Sequence, residues 1–318
     1  MTTQQEYDVT LHLLSEASVE KCFNAFKDVD WDDPALAMAP EDERWALPEF
    51  DPLSRTHWYR SLPPERQREV GRHRLTAIIK TGSQFEQLLL LGGTQFLMRL
   101  RNDNPEFRYF MHELTEETHH IQMFQEFTNR ACPEVSGVPR WLLRAFPVVG
   151  FVGGWAPSLF FAIILAGEEP IDHVQKSILR SGGANPLLDR IMAIHVAEEA
   201  RHIGFAHEWL RHHVPELSGP RRFLVALLTP VVMKIGADAI LKPSRTDRRR
   251  MGVPRSAIRA VWGRGGEAEK LYRDLFADVR MLFDEIGLRP RSTRWLWHAL
   301  GIEGRPARFR SEPTRASA

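Results

Sequence analysis

The sequence of 318 residues predicts an all-α protein, a four-helix bundle with additional N- and C-terminal helices. Apolar residues recur at helical spacing through the middle of the chain, whereas the alternating patterns of strands are scarce. Two Asn-Pro pairs, at residues 104–105 and 185–186, each begin such a stretch, as an N-cap and a first-turn proline do. We expect a single domain over residues 1–318, with the four-helix core at residues 65–215.

Residues 1–64 come before the core. Several prolines interrupt this segment, and aromatic side chains such as Trp45 and Trp58 could pack it against the rest of the protein. We therefore predict that the segment is an N-terminal arm.

The core helices follow as two similar pairs, each an apolar helix and then an Asn-capped helix. Their predicted spans are Glu65 to about Arg101, Asn104 to about Arg130, an apolar helix that ends near Ile178, and Asn185 to about His213. Residues 216–318 then predict C-terminal helices at 223–241 and 267–288 and a loose tail over the last dozen residues. A basic stretch at 244–259 is expected to be a solvated surface loop.

One uncharged stretch, residues 145–167, has the length of a helix that spans a bilayer. Glycines and Pro157 break its first half, and the uninterrupted part from Ser158 to Gly167 is too short to span. We therefore predict a buried core helix and no membrane span.

The bulk composition excludes several classes of protein. The 42 basic and 41 acidic residues give a net charge of +1, which gives no support for nucleic-acid binding through charge. The two cysteines, Cys22 and Cys132, lie far apart, which excludes a disulfide scaffold and suits a reducing compartment. The N-terminus lacks the layout of a signal peptide. We expect a cytoplasmic protein.

The sequence contains Glu-Glu-x-x-His-Ile twice, at residues 116–121 and 198–203. A Glu and a His three residues apart share one face of a helix, so both side chains can bind the same metal ion. The repeat therefore predicts that each copy supplies half of one metal site.

The apolar stripe of each helix selects one Glu-His pair. In the first copy Glu117 and His120 lie on or beside this stripe, whereas Glu116 lies off it. The same test selects Glu199 and His202 in the second copy. A carboxylate that faces a core is costly unless it is paired or bound to metal.

Each apolar helix adds one carboxylate. Glu86 is the only charge between Lys80 and Arg99, and Glu168 ends the long uncharged stretch. The interval from Glu86 to Glu117 is 31 residues, and so is the interval from Glu168 to Glu199. The two halves are thus related by one constant shift of 82 residues.

This set of residues is typical of ferritin-like di-iron carboxylate bundles. Those bundles take one Glu from each of two helices and a Glu-x-x-His from each of the other two. Carboxylate and imidazole ligands together suit iron or manganese. The alternative is that two solvated helices carry Glu-His pairs by chance, but buried unpaired carboxylates are rare.

A third histidine joins the candidate ligands. His195 lies four residues before Glu199, on the same helix face, and we predict that it is a ligand. The first half has Glu113 at the matching position, which we expect at the surface or beside a ligand histidine. We expect the remaining polar residues of the two motifs to face outward or to support the ligands: Glu116, His119, Glu198 and Arg201.

The sequence resembles the AurF-type di-iron oxygenases, a family of aryl-amine N-oxygenases. The resemblance rests on Glu86, Glu117-x-x-His120, Glu168 and His195-x-x-x-Glu199-x-x-His202. His195 is the most discriminating element, because that family adds a third histidine to the usual two. The resemblance covers residues 65–215 well, and the flanking parts match in length and helical character.

The resemblance implies a centre of two iron ions, with manganese as an alternative. One ion would be held by Glu86, Glu117 and His120 with Glu168 or Glu199 as bridges, and the second by Glu168, His195, Glu199 and His202. The centre would use dioxygen to transfer an oxygen atom to a small organic substrate, typically the nitrogen of an aromatic amine. Electrons would come from an external reductase, and the protein would be a homodimer.

Three rival functions remain at this stage. The radical-generating subunit of ribonucleotide reductase usually keeps a tyrosine four residues after its first ligand histidine, and this position is Phe124 here. A di-iron acyl desaturase or hydroxylase could use the uncharged stretch at 145–167 to line an acyl channel. A non-catalytic ferritin-like bundle could bind metal without oxygen chemistry, although a structural helper has no need of four core carboxylates.

Overall fold

The computed structural model describes residues 3–181 and 185–307, which form α-helices, 3-10 turns and connecting loops without any strand. This confirms the predicted all-α class. The α-helices, numbered in chain order, are α1 (Thr3–Glu20), α2 (His57–Arg60), α3 (Pro64–Leu97), α4 (Pro105–Ala131), α5 (Arg140–Trp155), α6 (Pro157–Ser181), α7 (Pro186–His213), α8 (Gly219–Leu241), α9 (Arg245–Met251), α10 (Arg255–Trp262), α11 (Ala268–Leu275), α12 (Ala277–Glu285) and α13 (Arg294–Ala299). Short 3-10 helices cover Pro34–Leu36, Glu43–Trp45, Pro52–Arg55 and Val214–Glu216.

The helices α3, α4, α6 and α7 make the central bundle, as predicted. α3 runs antiparallel to α4, because Gly82 lies opposite Phe124 while Gly93 lies opposite Phe110. α6 pairs with α7, and the two pairs meet where α3 packs on α6 and α4 packs on α7. This arrangement turns one face of each of the four helices towards a common axis.

Both predicted Asn-Pro helix starts are confirmed. The side chain of Asn104 accepts a hydrogen bond from the backbone N–H of Glu106 at the start of α4. The side chain of Asn185 accepts one from the backbone N–H of Leu187 at the start of α7. These bonds satisfy N–H groups that the first helical turn leaves without partners, and they fix where each motif-bearing helix begins.

Two further helices cover the outer side of the bundle, α5 on α3 and α8 on α6. A Cβ atom at Gly153 of α5 would lie 2.0 Å from the carbonyl oxygen of Gly92 in α3. A Cβ atom at Gly236 of α8 would lie 2.3 Å from the carbonyl oxygen of Ala166 in α6. Glycine at these positions therefore allows the helix backbones to touch.

The uncharged stretch at residues 145–167 forms the end of α5 and the start of α6. The α6 part is buried, as predicted, with Phe160 and Phe161 at most 1% exposed. The outer face of α5 differs from the prediction, because Val148, Phe151 and Trp155 are 71%, 65% and 81% exposed. The glycines at its inner face allow α5 to pack tightly on α3, and these three apolar side chains lie on the face away from α3.

Another segment, Gly219–Met251, has the composition of a membrane span. Residues Gly219–Met251 are long and apolar enough to cross a bilayer, and half of their apolar window is buried inside the protein. Core helices of soluble proteins commonly meet the same test. Within residues 3–181 and 185–307, this segment alone meets it.

The basic stretch at residues 244–259 is helical, so the prediction of a surface loop there was wrong. It forms α9 and most of α10. Asp247 is 1% exposed and accepts hydrogen bonds from Ser136 and Ser244 beside His73. This buried carboxylate anchors α9 to α3, whereas charge counting along the sequence indicated only that the segment is basic.

The ends of the chain pack on the same bundle. α1 lies against α4 and α7, and α13 contacts α8. The segment predicted as one helix at 267–288 is two helices, α11 and α12, separated at Phe276. One continuous apolar core reaches from Tyr7 to Ile302. The predicted loose tail lies beyond residue 307, outside the described residues.

Candidate metal centre

All seven predicted ligands project from the central helices towards the bundle axis, and each is at most 2% exposed. They are Glu86 on α3, Glu117 and His120 on α4, Glu168 on α6, and His195, Glu199 and His202 on α7. The structure brings them together in one buried cluster.

One group of donor atoms contains the two Glu-x-x-His pairs. Glu117, His120, Glu199 and His202 each offer a ligand atom within 4.8 Å of the others. His202 Nδ1 lies 2.8 Å from Glu117 Oε1, which belongs to the other motif. His120 Nδ1 lies 3.3 Å from Glu117 Oε2 and 3.6 Å from Glu199 Oε1. The two motifs thus face one another across the bundle.

A second group consists of Glu86, His120 and His195. His195 Nε2 lies 2.9 Å from Glu86 Oε1 and 3.3 Å from Glu199 Oε1. The resemblance placed Glu86 and His195 on different metal ions, whereas in the structure His195 faces donors from both sets. The charge of Glu199 acts on Glu168, so the carboxylate of α6 belongs to the same cluster.

In each Glu-x-x-His pair, the histidine nitrogen Nε2 is hydrogen-bonded to a carboxylate of the other motif. His120 Nε2 lies 2.8 Å from Glu198 Oε2, and His202 Nε2 lies 2.7 Å from Glu116 Oε2. In a neutral ring whose Nε2–H donates to a carboxylate, Nδ1 carries no hydrogen. Its lone pair faces the cluster and can bind a metal ion. The expectation that Glu116 and Glu198 support the ligands is therefore correct, and both are buried.

The supporting carboxylates are tied to other parts of the chain. Arg201 donates to Glu116 at 2.9 Å and lies 3.7 Å from Glu198. The backbone N–H of Phe23, in the N-terminal segment, donates to Glu198 at 3.0 Å. The arm thus closes the outer side of the cluster, a contact that helical spacing in the sequence cannot reveal.

His195 has a different kind of support. Its Nδ1 lies 2.8 Å from Gln175 Oε1, so Nδ1 carries the hydrogen and Nε2 is free to bind metal. Burial lowers the pKa of His195 to about 3, which keeps the ring neutral. Sequence reasoning missed Gln175. Gln175 could have been identified from its position seven residues after Glu168, which is two turns along the same helix face.

The buried carboxylates differ in how readily they ionise. Burial, and then the charge of Glu117, raises the pKa of Glu86 well above its usual value. Burial and the charge of Glu199 raise the pKa of Glu168 in the same way. Burial also opposes the ionisation of Glu117, but the neighbouring rings of His120 and His202 lower its pKa. Four carboxylates in so small a volume repel one another unless positive charge is added.

The polar atoms left without partners show that the cluster fits a metal. Buried oxygen atoms without a hydrogen bond belong to Glu86, Glu117, Glu168 and Glu199, and the Nδ1 atom of His202 also lacks one. Buried polar atoms are normally hydrogen-bonded, because leaving them unpaired costs about 1–3 kcal/mol each. Four ionised carboxylates with neutral histidines would balance two divalent cations. The donor set suits iron or manganese.

Glu113 is also buried, so it is not the surface residue that one of the two sequence expectations described. It stands where the first half would place a counterpart of His195. Burial raises the pKa of Glu113 well above its usual value, and its Oε2 atom has no hydrogen-bond partner. The two halves therefore differ at this position, with Glu113 on α4 and His195 on α7.

Aromatic and aliphatic side chains cover one side of the cluster. The ring of Phe124 stacks on His195 with the ring centroids 4.8 Å apart. Beyond Phe124 lies a cavity of about 10 Å³, lined by Gln175 and otherwise by apolar residues such as Ile171 and Met192. That volume holds one water-sized molecule, and its apolar lining favours a dry interior.

The chain matches known proteins over most of its length. The family described as "P-aminobenzoate N-oxygenase AurF" matches residues 4–287. Uncharacterized protein Rv0885 of Mycobacterium tuberculosis and Uncharacterized protein Mb0909 of Mycobacterium bovis are each 43% identical to it over 311 residues, which cover 98% of this chain and 92% of each relative. No solved structure gives a significant match. The chain therefore belongs to the P-aminobenzoate N-oxygenase AurF family.

Proposed function

We propose that the protein is a non-haem di-iron oxygenase that transfers an oxygen atom from dioxygen to the nitrogen of an aromatic amine. The observation that carries this proposal is the buried cluster of four carboxylates and three histidines with unpartnered donor atoms. A stably folded bundle retains such a cluster when cations compensate its charge. The family supports the oxygenase class, and its description as a P-aminobenzoate N-oxygenase supports the amine substrate.

The seven predicted ligands would hold the two ions. Bound iron supplies the capacity to reduce and activate dioxygen. His120 and His202 would bind the ions through Nδ1, because Glu198 and Glu116 hold Nε2. Gln175 fixes the orientation of His195, whose neutral Nε2 faces the cluster.

Other residues of the chain keep water from the reacting atoms. Phe124 covers the ring of His195, and the small apolar cavity behind it excludes bulk water. A dry site protects a reactive oxidant from side reactions. Electrons would come from a separate reductase, since the sequence has neither a Gly-rich nucleotide loop nor a cysteine cluster.

A reconstitution experiment tests this function. The purified chain is loaded with Fe(II) without oxygen, freed of excess metal, and analysed for metal. It is then exposed to dioxygen with p-aminobenzoate and a chemical reductant, and the products are identified by mass spectrometry. We expect two metal ions per chain and a product that has gained oxygen on nitrogen. Protein loaded with manganese under the same conditions identifies which metal supports the chemistry.

The outcomes separate the parts of the proposal. A chain that binds no metal contradicts the metal centre itself. A chain that binds two ions and consumes dioxygen but modifies only acyl substrates contradicts N-oxygenation and favours the desaturase or hydroxylase alternative. The Glu117→Ala variant is the matched negative control, because it removes a carboxylate that faces both Glu-x-x-His histidines.

We further propose that the protein is a homodimer that associates through the outer face of α5. Val148, Phe151 and Trp155 form an exposed apolar surface there. Exposed patches of this kind mark protein interfaces when they are contiguous. Light scattering would give twice the chain mass for the native protein, and Phe151→Asp should shift it to the monomer. A native monomer at micromolar concentration would contradict the proposal.

A further inference from the structure

A second, larger cavity lies on the outside of the bundle. It has a volume of about 630 Å³ and is enclosed by the start of α5, the C-terminal half of α8 and the start of α9. Small-molecule sites in proteins typically have volumes of about 300–1,000 Å³. None of the predicted metal ligands lines this cavity. It is therefore separate from the candidate metal centre.

The lining of this cavity is strongly basic, with four cationic side chains and one acidic one. The acidic residue, Asp238, is already bonded to Lys234, Lys242 and Tyr272. The other two cations, Arg140 and Arg245, are exposed and have no ion-pair partner among residues 3–181 and 185–307. The whole chain carries a net charge of only +1, so this surplus is local.

The start of α9, which carries Arg245, is held in place by buried hydrogen bonds. Asp247 of α9 accepts from the Ser136 backbone N–H at 3.0 Å and lies 3.0 Å from His73 Nε2. It also accepts from the hydroxyl groups of Ser136 and Ser244, both at 2.6 Å. Ser136 and Ser244 line the cavity themselves. The start of α9, which carries Arg245, is therefore fixed at the edge of the cavity, which favours ligand binding because little ordering is required.

Apolar side chains and a helix start also line the cavity. Trp141 and Ile235, 61% and 36% exposed, line the cavity next to the arginines. The N-cap residue of the 16-residue helix α5, Pro139, makes no side-chain capping bond. The first N–H groups of α5 thus add a positive partial charge at the same end as Arg140.

We propose that this cavity binds an anionic amphiphile, with its phosphate or carboxylate head at Arg140 and Arg245 and its apolar part on Trp141 and Ile235. Guanidinium groups match both head groups, since each can accept two parallel N–H bonds. The site is independent of the oxygenase function proposed above.

Titration calorimetry on the full chain tests the proposal with octyl phosphate, octanoate and the neutral octanol. At least one anion should bind, and octanol should bind at least tenfold more weakly. The double variant Arg140→Gln/Arg245→Gln should lose about tenfold or more in affinity for the anion, because a hydrogen bond to a charged group contributes about 1.5–3 kcal/mol. Binding of octyl phosphate alone would identify a phosphate head, and binding of octanoate alone a carboxylate head.

The matched control is Arg255→Gln/Arg259→Gln, which removes two exposed arginines from α10 outside the cavity. This variant should bind the anion as the native chain does. The variant Trp141→Ala should weaken octyl phosphate but leave inorganic phosphate unchanged. Three results would overturn the proposal: neither anion binds, octanol binds as tightly as the anions, or both arginine double variants lose affinity equally.

Discussion

His120 Nε2 lies 2.8 Å from Glu198 Oε2, and the two residues are 78 positions apart on opposite halves of the bundle. The reciprocal contact joins His202 to Glu116. The first Glu of each Glu-Glu-x-x-His-Ile motif thus supports the histidine of the other motif. This exchange explains why the sequence repeats a pair of glutamates rather than one: the second faces the cluster and the first holds the opposite histidine.

The exchange predicts that Glu198→Gln weakens metal binding without unfolding the protein. An amide keeps the volume of the side chain but accepts a weaker hydrogen bond from His120 Nε2–H, so Nδ1 becomes a poorer ligand. We expect a loss of about 10–100-fold in metal affinity. Competition with a chelator of known affinity measures it. Glu208→Gln on the same helix is the control, since Glu208 pairs with Arg211. Equal affinities in both variants would refute the supporting role.

The contact between His195 and Gln175 predicts a second effect. Replacing Gln175 by Leu leaves the Nδ1–H of His195 without an acceptor and frees the ring to rotate. We expect metal affinity to fall by about 10–100-fold, with a changed optical spectrum of the iron-loaded protein. His195→Ala should lower the metal content further. If both variants keep two ions per chain and the native spectrum, His195 serves packing alone.

Metal loading should stabilise the fold. The cluster holds several carboxylates that repel one another in the absence of cations, and a ligand that binds only the folded state stabilises it by mass action. At a free metal concentration 100 times the dissociation constant, the gain is about 2.7 kcal/mol. Denaturant unfolding with and without metal measures it. A Glu117→Ala/Glu199→Ala variant should show no gain, and a gain equal to that of the native chain would place the metal elsewhere.

The close approach of α5 to α3 predicts that Gly153→Ala destabilises the protein. A Cβ atom there would lie 2.0 Å from the carbonyl oxygen of Gly92, so the helices must separate. We expect a loss of about 1–3 kcal/mol in the free energy of unfolding. At Gly219 no atom lies within 4 Å of the added Cβ, so Gly219→Ala should be neutral or slightly stabilising. Equal effects at both positions would contradict the observed packing.

Asp247 predicts a stability difference that depends on pH. Burial opposes its ionisation, but the hydrogen bonds from His73, Ser136 and Ser244 lower its pKa to about 2. Because the folded pKa lies below the unfolded value, the stabilisation is fully present above about pH 4 and is lost as the pH falls towards 2. Asp247→Asn should therefore be less stable than the native chain by about 1–3 kcal/mol at neutral pH. The difference should shrink below pH 4. A difference that stays constant to pH 2 would show that the carboxylate charge is not involved.

The sequence was enough to predict the ligand positions that recur in the two halves of the chain. The shift of 82 residues located Glu86, Glu117, Glu168 and Glu199, and helical spacing placed His120 and His202 on the same faces. Local capping rules located the starts of α4 and α7. These features depend on spacing within one helix or on a constant interval, and both can be read along the chain.

Contacts between distant segments could not be predicted in this way. Gln175 on α6 supports His195 on α7, and the backbone N–H of Phe23 in the N-terminal segment donates to Glu198. The basic segment at 244–259 forms helices, although its basic composition and the balanced charge of the whole chain predict a solvated surface loop. Its buried carboxylate, Asp247, contacts His73 and Ser136, which are more than 100 positions away, and no local pattern shows these contacts.

Anomalous X-ray diffraction at the iron edge, from crystals loaded with Fe(II), tests the central claim most directly. We expect two peaks inside the bundle, enclosed by the carboxylates of Glu86, Glu117, Glu168 and Glu199 and beside Nδ1 of His120 and His202. The absence of peaks at these positions, with iron bound elsewhere or not at all, would contradict the metal centre and the oxygenase function built on it.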